Sequence, residues 1–266
     1  MIFDAFFQAC FFAGALFLQH VFNKAPNRLT ERVKQEEETL SLSHLAISIG
    51  LSFLAVLWLL TSEGVSQDMF LIAFFTVNLT LTLATLFRVH ALYLTVCSLL
   101  VMVMVTSIPH PYAINVIQAA SLMWVWPFMI KKYPGTTRYA VGGLLLILVI
   151  DILNISIAQT YHGYVFAPLL FSFFVIFGSN ILGIGDYLIG YLCVTLLAHR
   201  KMAHHPIIIL LFVLIAAIPL GLLTLFLRHG FALPYSIFII LPYLAVAAAA
   251  HASEVYDHQV MWFEEK

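Results

Sequence analysis

Residues 178–190 read GSNILGIGDYLIG, with apolar sequence running on both sides of them. An ionisable side chain, Asp186, stands there directly behind Gly183 and Gly185, each of which weakens a helix by about 1 kcal/mol relative to alanine. The rest of the chain makes this placement stand out. Of 266 residues, 62% are hydrophobic and only 9% are charged, and the mean hydropathy is +1.00. A soluble domain carries roughly a quarter charged residues. A chain so poor in polar surface is an integral membrane protein, and nothing in it points to nucleic acid. A net charge of −1 names no partner by itself.

Apolar runs of the roughly 17–25 residues that cross a bilayer fall at about 2–22, 45–61, 69–87, 91–108, 113–130, 139–158, 180–198, 206–227 and 231–250. Turn signals separate them, among them SIPHPY at 107–112, KKYPGTTR at 131–138 and RHG at 228–230. The segment 164–177 is apolar, holds Pro168 and is short for a span; it reads as a re-entrant or interfacial piece, or as the start of the seventh helix. The run at 2–22 has no basic leader and carries Asp4, so it is expected to be retained as the first helix rather than cleaved. With nine spans, eleven of the twelve Lys and Arg fall on one side and Arg228 alone on the other. By the positive-inside rule the N-terminus is then outside or lumenal and the C-terminus cytoplasmic. Counting 164–177 as a tenth span would spoil that split. The expected class is an all-α, multi-pass helix bundle forming one transmembrane domain, 1–266, with the lipid bilayer as its surroundings.

Only two carboxylates, Asp151 in LLLILVIDILNISIA and Asp186, fall well inside apolar segments, and no Lys or Arg is placed to neutralise them. Such a residue is costly in a bilayer unless paired, protonated or wetted, and by default marks a functional site. Asp151 lies seven residues before the end of the sixth span and Asp186 about six after the start of the seventh. At roughly 1.5 Å per residue both sit about 10 Å deep. Two carboxyls at one depth on consecutive antiparallel helices share a proton, giving one acid and one base near neutral pH. That pair can activate water against a peptide carbonyl and protonate the leaving nitrogen. The glycines leave room for a substrate backbone and loosen the helix. Equally, a pair of carboxylates can relay protons in a carrier, so chemistry and transport both stay open here.

The string LGIGDYLIGYL resembles the LGxGD motif of the GxGD intramembrane aspartyl proteases, the presenilin and signal peptide peptidase family. An aspartate in the preceding span, a final span opening with GFALPYSI, and nine spans are similar to that family too. The resemblance covers mainly residues 139–250. It implies a presenilin-like bundle in which Asp151 and Asp186 are the catalytic dyad and Gly183 and Gly185 the motif glycines. Ala232, Leu233 and Pro234 would border the site and position substrate. Helices one to five, about 1–130, would be scaffold and about 139–250 the catalytic core. No metal and no organic cofactor is implied; the partners would be transmembrane peptides or proteins. The orientation is that of signal peptide peptidase, which implies type II membrane proteins or signal-peptide remnants as substrates. A prokaryotic cytoplasmic membrane is favoured over the endoplasmic reticulum. Two positions differ from the family pattern: Ile150 precedes the first aspartate where Tyr is usual, and Phe231 stands where the first Pro of Pro-Ala-Leu would be.

Other polar residues have plainer readings. Asn154, one turn after Asp151, is a candidate neighbour of the dyad; Asn78, Gln118 and Asn180 read as interhelical hydrogen-bonders. Trp58, Trp124, Trp126 and Trp262 read as interface anchors, and Pro219 and Pro242 as helix kinks. His199, His204 and His205 beside Arg200 and Lys201 read as headgroup-level residues rather than metal ligands. Cys10, Cys97 and Cys193 read as small buried hydrophobes without disulfides. The rivals to a protease are a proton-coupled membrane transporter using the same carboxylates, a prepilin-peptidase-like GxGD enzyme, and a catalytically inactive relative.

Overall fold

The computed structural model of the chain describes residues 2–24, 65–107, 111–132, 140, 142–149, 152, 174–177, 180–199, 206–226 and 235–249. These residues are almost all helical. In chain order they form α1 (Ile2–Lys24), α2 (Val65–Leu86), α3 (Ala91–Ser107), α4 (Pro111–Ser121), α5 (Val125–Lys132) and α6 (142–149). Strands β1 (Phe174–Phe177) and β2 (Asn180–Gly183) follow, then α7 (Ile184–His199), α8 (Pro206–Phe226) and α9 (Ser236–Ala249). Pro111 and Pro206 open α4 and α8, where the missing N–H costs no intrahelical bond. Three helical stretches, Phe6–Lys24, Met69–Leu86 and Tyr112–Lys131, are long and apolar enough to cross a membrane. The expected span at 45–61 lies outside the described residues.

Outward faces agree with a lipid surrounding. On α3 only Leu94, Ser98 and Met102 are buried, a stripe one residue wide at helical spacing. Leu92, Tyr93, Val96, Leu99, Leu100, Val103 and Met104 are all exposed around the remainder. So large an apolar surface is not found on a soluble monomer. The cysteine expectation is corrected here: all three are free thiols, but only Cys193 is buried, while Cys10 and Cys97 lie on outward faces of α1 and α3.

The chain divides into two compact units. One spans Ala25–Thr136 and Phe166–Val175 and contains α2 to α5. In it α2 packs against both α3 and α4. Thr82 donates from Oγ1 to the carbonyls of Ala120 (3.2 Å) and Ser121 (2.8 Å), acceptors that lack the usual i+4 partner at the end of α4. Trp124 donates from Nε1 to Oδ1 of Asn78 at 3.0 Å, and Asn78 donates to the Phe74 carbonyl at 2.9 Å. Asn78 is thus an interhelical bonder, and Trp124 closes the α4–α5 turn as its partner.

The other unit joins Met1–Lys24 to Thr137–Val165 and Ile176–Lys266. Its central helix is α7, on which every residue from Ile189 to Leu197 is buried. A helix that is hydrophobic all round belongs in the interior. Against it and α8 lies α1. On α8 the buried residues are Ile209, Phe212, Val213, Ala216 and Ala217, a stripe at helical spacing. Tyr235, just before α9, donates its hydroxyl to the Ala216 carbonyl of α8. Phe12 of α1 lies edge-on to both Tyr187 (5.0 Å between centroids) and Tyr235 (5.7 Å).

Along α1 and α7, contacts advance together. Phe12 meets Tyr187, Leu16 meets Gly190, and Gln19 donates to Thr195. The two helices are therefore parallel. The approach is closest at Gly190, where an added Cβ would stand 2.6 Å from Cδ2 of Leu16 and 3.4 Å from Cζ of Phe12. Glycine at such a contact lets two membrane helices meet backbone to side chain. Gly190→Ala is expected to overpack the seam and lower unfolding free energy by about 1–3 kcal/mol, read as the shift in a denaturant or thermal melt of the protein in detergent.

Ahead of α7 the structure departs from expectation. The sequence predicts a seventh span that is helical from about 180, with 164–177 either re-entrant or part of that helix. Instead 174–177 and 180–183 pair as a two-stranded sheet, and the helix begins at Ile184. The physical reason is local. Phe-Val-Ile-Phe is a β-branched and aromatic run, and the two residues between the strands are Gly178 and Ser179, a pairing typical of tight hairpins. The GxGD string is a strand-to-helix junction, not a weakened helix interior.

Candidate functional site

That junction fixes where Asp186 stands. Gly183 ends β2, Ile184 opens α7, and Asp186 falls in the first turn of the helix rather than six residues inside it. The first backbone N–H groups of a helix lack intrahelical partners and form its positive pole, so a carboxylate in the first turn is favoured there. Its geometry follows that logic. Asp186 Oδ2 lies 3.3 Å from where a Cβ on Gly183 would be, so the carboxyl leans back over the residue before the helix. An acidic third helical residue reaching back in this way is the habit of a capping box. The side chain is half-buried, with Tyr187 fully buried on one side of it in sequence and Gly185 exposed on the other.

The two glycines differ in what they do. At Gly183 a methyl would press on the Asp186 carboxylate, so the missing side chain allows the fold-back. At Gly185 an added Cβ would meet nothing within 4 Å. Gly185 is exposed, and the space a side chain there would fill is open. The expectation that both glycines admit a close neighbour is thus divided: Gly183 admits Asp186 itself, and Gly185 leaves open space.

Behind Asp186 stands a wall from α1 that sequence reasoning missed. Tyr187 is held edge-on by Phe11 (6.1 Å) and Phe12 (5.0 Å), and lies edge-on to Tyr191 at 6.3 Å. α1 also touches β2. Gln8, one turn before Phe12, is 1% exposed, and among the described residues neither its Nε2 nor its Oε1 has a hydrogen-bond partner. The Tyr187 hydroxyl is also buried and unpartnered. Further along the same seam Gln19 donates to Asn23 (3.0 Å) and Thr195 (3.5 Å), and Thr195 donates to the Tyr191 carbonyl at 2.7 Å. A signal was present in the sequence: Gln8 and Gln19 interrupt the first apolar run about three helical turns apart, on one face.

Of the other expected site residues, Asp151, Asn154, Ala232, Leu233 and Pro234 lie outside the described residues, as does His204 with His205. Asp186, Gly183 and Gly185 are together at the junction. Among the described residues no three of His, Cys, Asp and Glu converge as metal ligands would. No protein-family model matches the chain, and neither a curated protein nor a solved structure does.

If Asp186 helps hold the start of α7, Asp186→Ala is expected to cost about 0.3–1 kcal/mol, the usual worth of a carboxylate at a helix N-terminus. Gly185→Ala is expected to stabilise by up to about 1 kcal/mol, since the methyl meets open space and glycine is the poorer helix former. Thermal unfolding in detergent reads both.

Proposed function

We propose that the chain is an intramembrane aspartic endopeptidase of the GxGD type, a nine-span bundle in which Asp151 and Asp186 share one proton. The observation that supports this most is the junction: a strand ends at Gly183, and three residues later a half-buried carboxyl follows the exposed Gly185. A transmembrane helix cannot be cleaved until its backbone is exposed. A two-stranded sheet has outer edges on which an unwound segment can pair, its carbonyls then held by backbone hydrogen bonds. In the proposed reaction the ionised carboxylate takes a proton from water, whose oxygen attacks the peptide carbonyl carbon while the protonated carboxyl gives its proton to the carbonyl oxygen. The C–N bond then breaks as the proton taken from water passes to the leaving nitrogen and one diol hydroxyl returns its proton to the other carboxylate, giving a carboxylic acid, an amine and the starting dyad. No metal or organic cofactor enters. Ala232, Leu233 and Pro234 would help seat the substrate segment.

The charge split supports an outside N-terminus and a cytoplasmic C-terminus in a prokaryotic cytoplasmic membrane. In that orientation the substrates are type II transmembrane segments or signal-peptide remnants. A proton-coupled carrier is the second reading, favoured by the same helix start inside an apolar segment, a device that carriers use at their binding sites.

Purified protein should cleave a reporter-bearing transmembrane peptide, and Asp151→Asn or Asp186→Asn should each lower the rate at least about a hundredfold, the low end of general acid–base effects. Gly185→Ala should slow cleavage although it stabilises the fold. Cleavage that survives either aspartate change sinks the dyad. No cleavage across a broad peptide panel, together with peptide-independent proton flux into liposomes that Asp186→Asn abolishes, would instead establish the carrier.

A further inference from the structure

The wall behind Asp186 carries two polar groups that the fold leaves unused. Among the described residues Gln8 is buried with both ends of its carboxamide unbonded, and the Tyr187 hydroxyl is buried and unbonded too. An unpaired buried amide or hydroxyl costs about 1–3 kcal/mol, and the membrane interior offers no water to offset it. Among the described residues three such atoms lie where Tyr187 packs on α1, while His20 Nδ1 and Asn23 Nδ2 are likewise unpartnered further along the same helix.

Gln8 lies one turn before Phe12 on α1, the residue that packs on Tyr187 near the start of α7. α1 touches β2 at this end. Tyr187 packs edge-on against Phe11 and Phe12 at this end of α1. The carboxamide is both donor and acceptor, which matches the alternating C=O and N–H of an extended peptide.

We propose that Gln8, assisted by Tyr187, binds the backbone of the substrate segment that is unwound beside Asp186, making α1 one wall of the peptide-binding groove. The proposal rests on the protease reading and adds a contact from the first helix. Gln8 accepts from one peptide N–H and donates to a neighbouring carbonyl, while the Tyr187 hydroxyl donates to a second carbonyl. Recognition is therefore of extended backbone and not of side-chain sequence, so any transmembrane segment that unwinds readily is accepted.

The test uses the full-length protein in nanodiscs, carrying Asp151→Asn to prevent turnover. A fluorescent transmembrane peptide is titrated beside a panel of analogues, each with one backbone amide replaced by an ester, which removes one N–H. Gln8→Leu is expected to weaken the parent peptide about tenfold, the worth of one or two hydrogen bonds, without lowering the melting temperature. Tyr187→Phe, which removes a single oxygen, is expected to weaken it a few-fold. One ester position should weaken binding to the Gln8 protein and cost nothing further in Gln8→Leu. Equal ester penalties in both proteins, or unchanged peptide affinity with a lowered melting temperature in Gln8→Leu, overturn the proposal; the latter would mean that Gln8 only holds a structural water. Failure of the unsubstituted protein to bind any transmembrane peptide overturns the protease reading itself.

Discussion

Everything in the unit that holds Asp186 depends on how closely α1 approaches α7. In a hydrocarbon surrounding, helices gain nothing by hiding apolar surface from one another, so association relies on close packing and a few hydrogen bonds. Gly190 supplies the close packing by letting Leu16 and Phe12 sit where a side chain would otherwise be. The Gln19, Asn23 and Thr195 cluster supplies the polar part at the far end of the seam. With those two points fixed, Phe12 is pinned between Tyr187 and Tyr235, and the start of α7 is held against α1. The carboxyl of Asp186 inherits its place from that packing.

As a first-turn carboxylate Asp186 suits the positive pole of α7; in the proposed dyad the same half-buried group would also transfer the proton. The glycines divide the same way. Gly183 gives the carboxyl room to lean back, and Gly185 keeps the neighbouring space empty. A stability-driven choice at position 185 would be alanine, and local departures of that kind concentrate at functional sites.

How much of this is legible in the sequence differs from element to element. Three of the expected spans, at 2–22, 69–87 and 113–130, coincide with helical stretches long and apolar enough to cross a membrane. They are legible because a run of about twenty apolar residues bounded by turn signals is the length a bilayer requires of a helix. Helical residues occur in each expected span except 45–61, which lies outside the described residues. Asp186 is legible because a carboxylate in such a run is rare and costly. The hairpin before it is not, since four-residue apolar runs look alike in helix and strand; only the Gly178-Ser179 pair between two β-prone runs signals it. Gln8 and Gly190 are hidden for a different reason. Their meaning lies in a partner helix far away in sequence, and no local pattern within 2–24 or 184–199 reveals which helix that will be. Asp151, the proposed second acid, lies outside the described residues.

The parallel pairing of α1 with α7 also bears on how the protein is made. Gln19 and Thr195 are separated by 176 positions along the chain. At a synthesis rate of roughly 5–20 residues per second, α1 waits about 9–35 seconds in the membrane before α7 emerges. Throughout that time Gln19 and Asn23 lack their partner Thr195 and must be sheltered by water, headgroups or the insertion machinery. A helix made early is thus among the late ones to find its place, and its polar face is where biogenesis is most easily diverted.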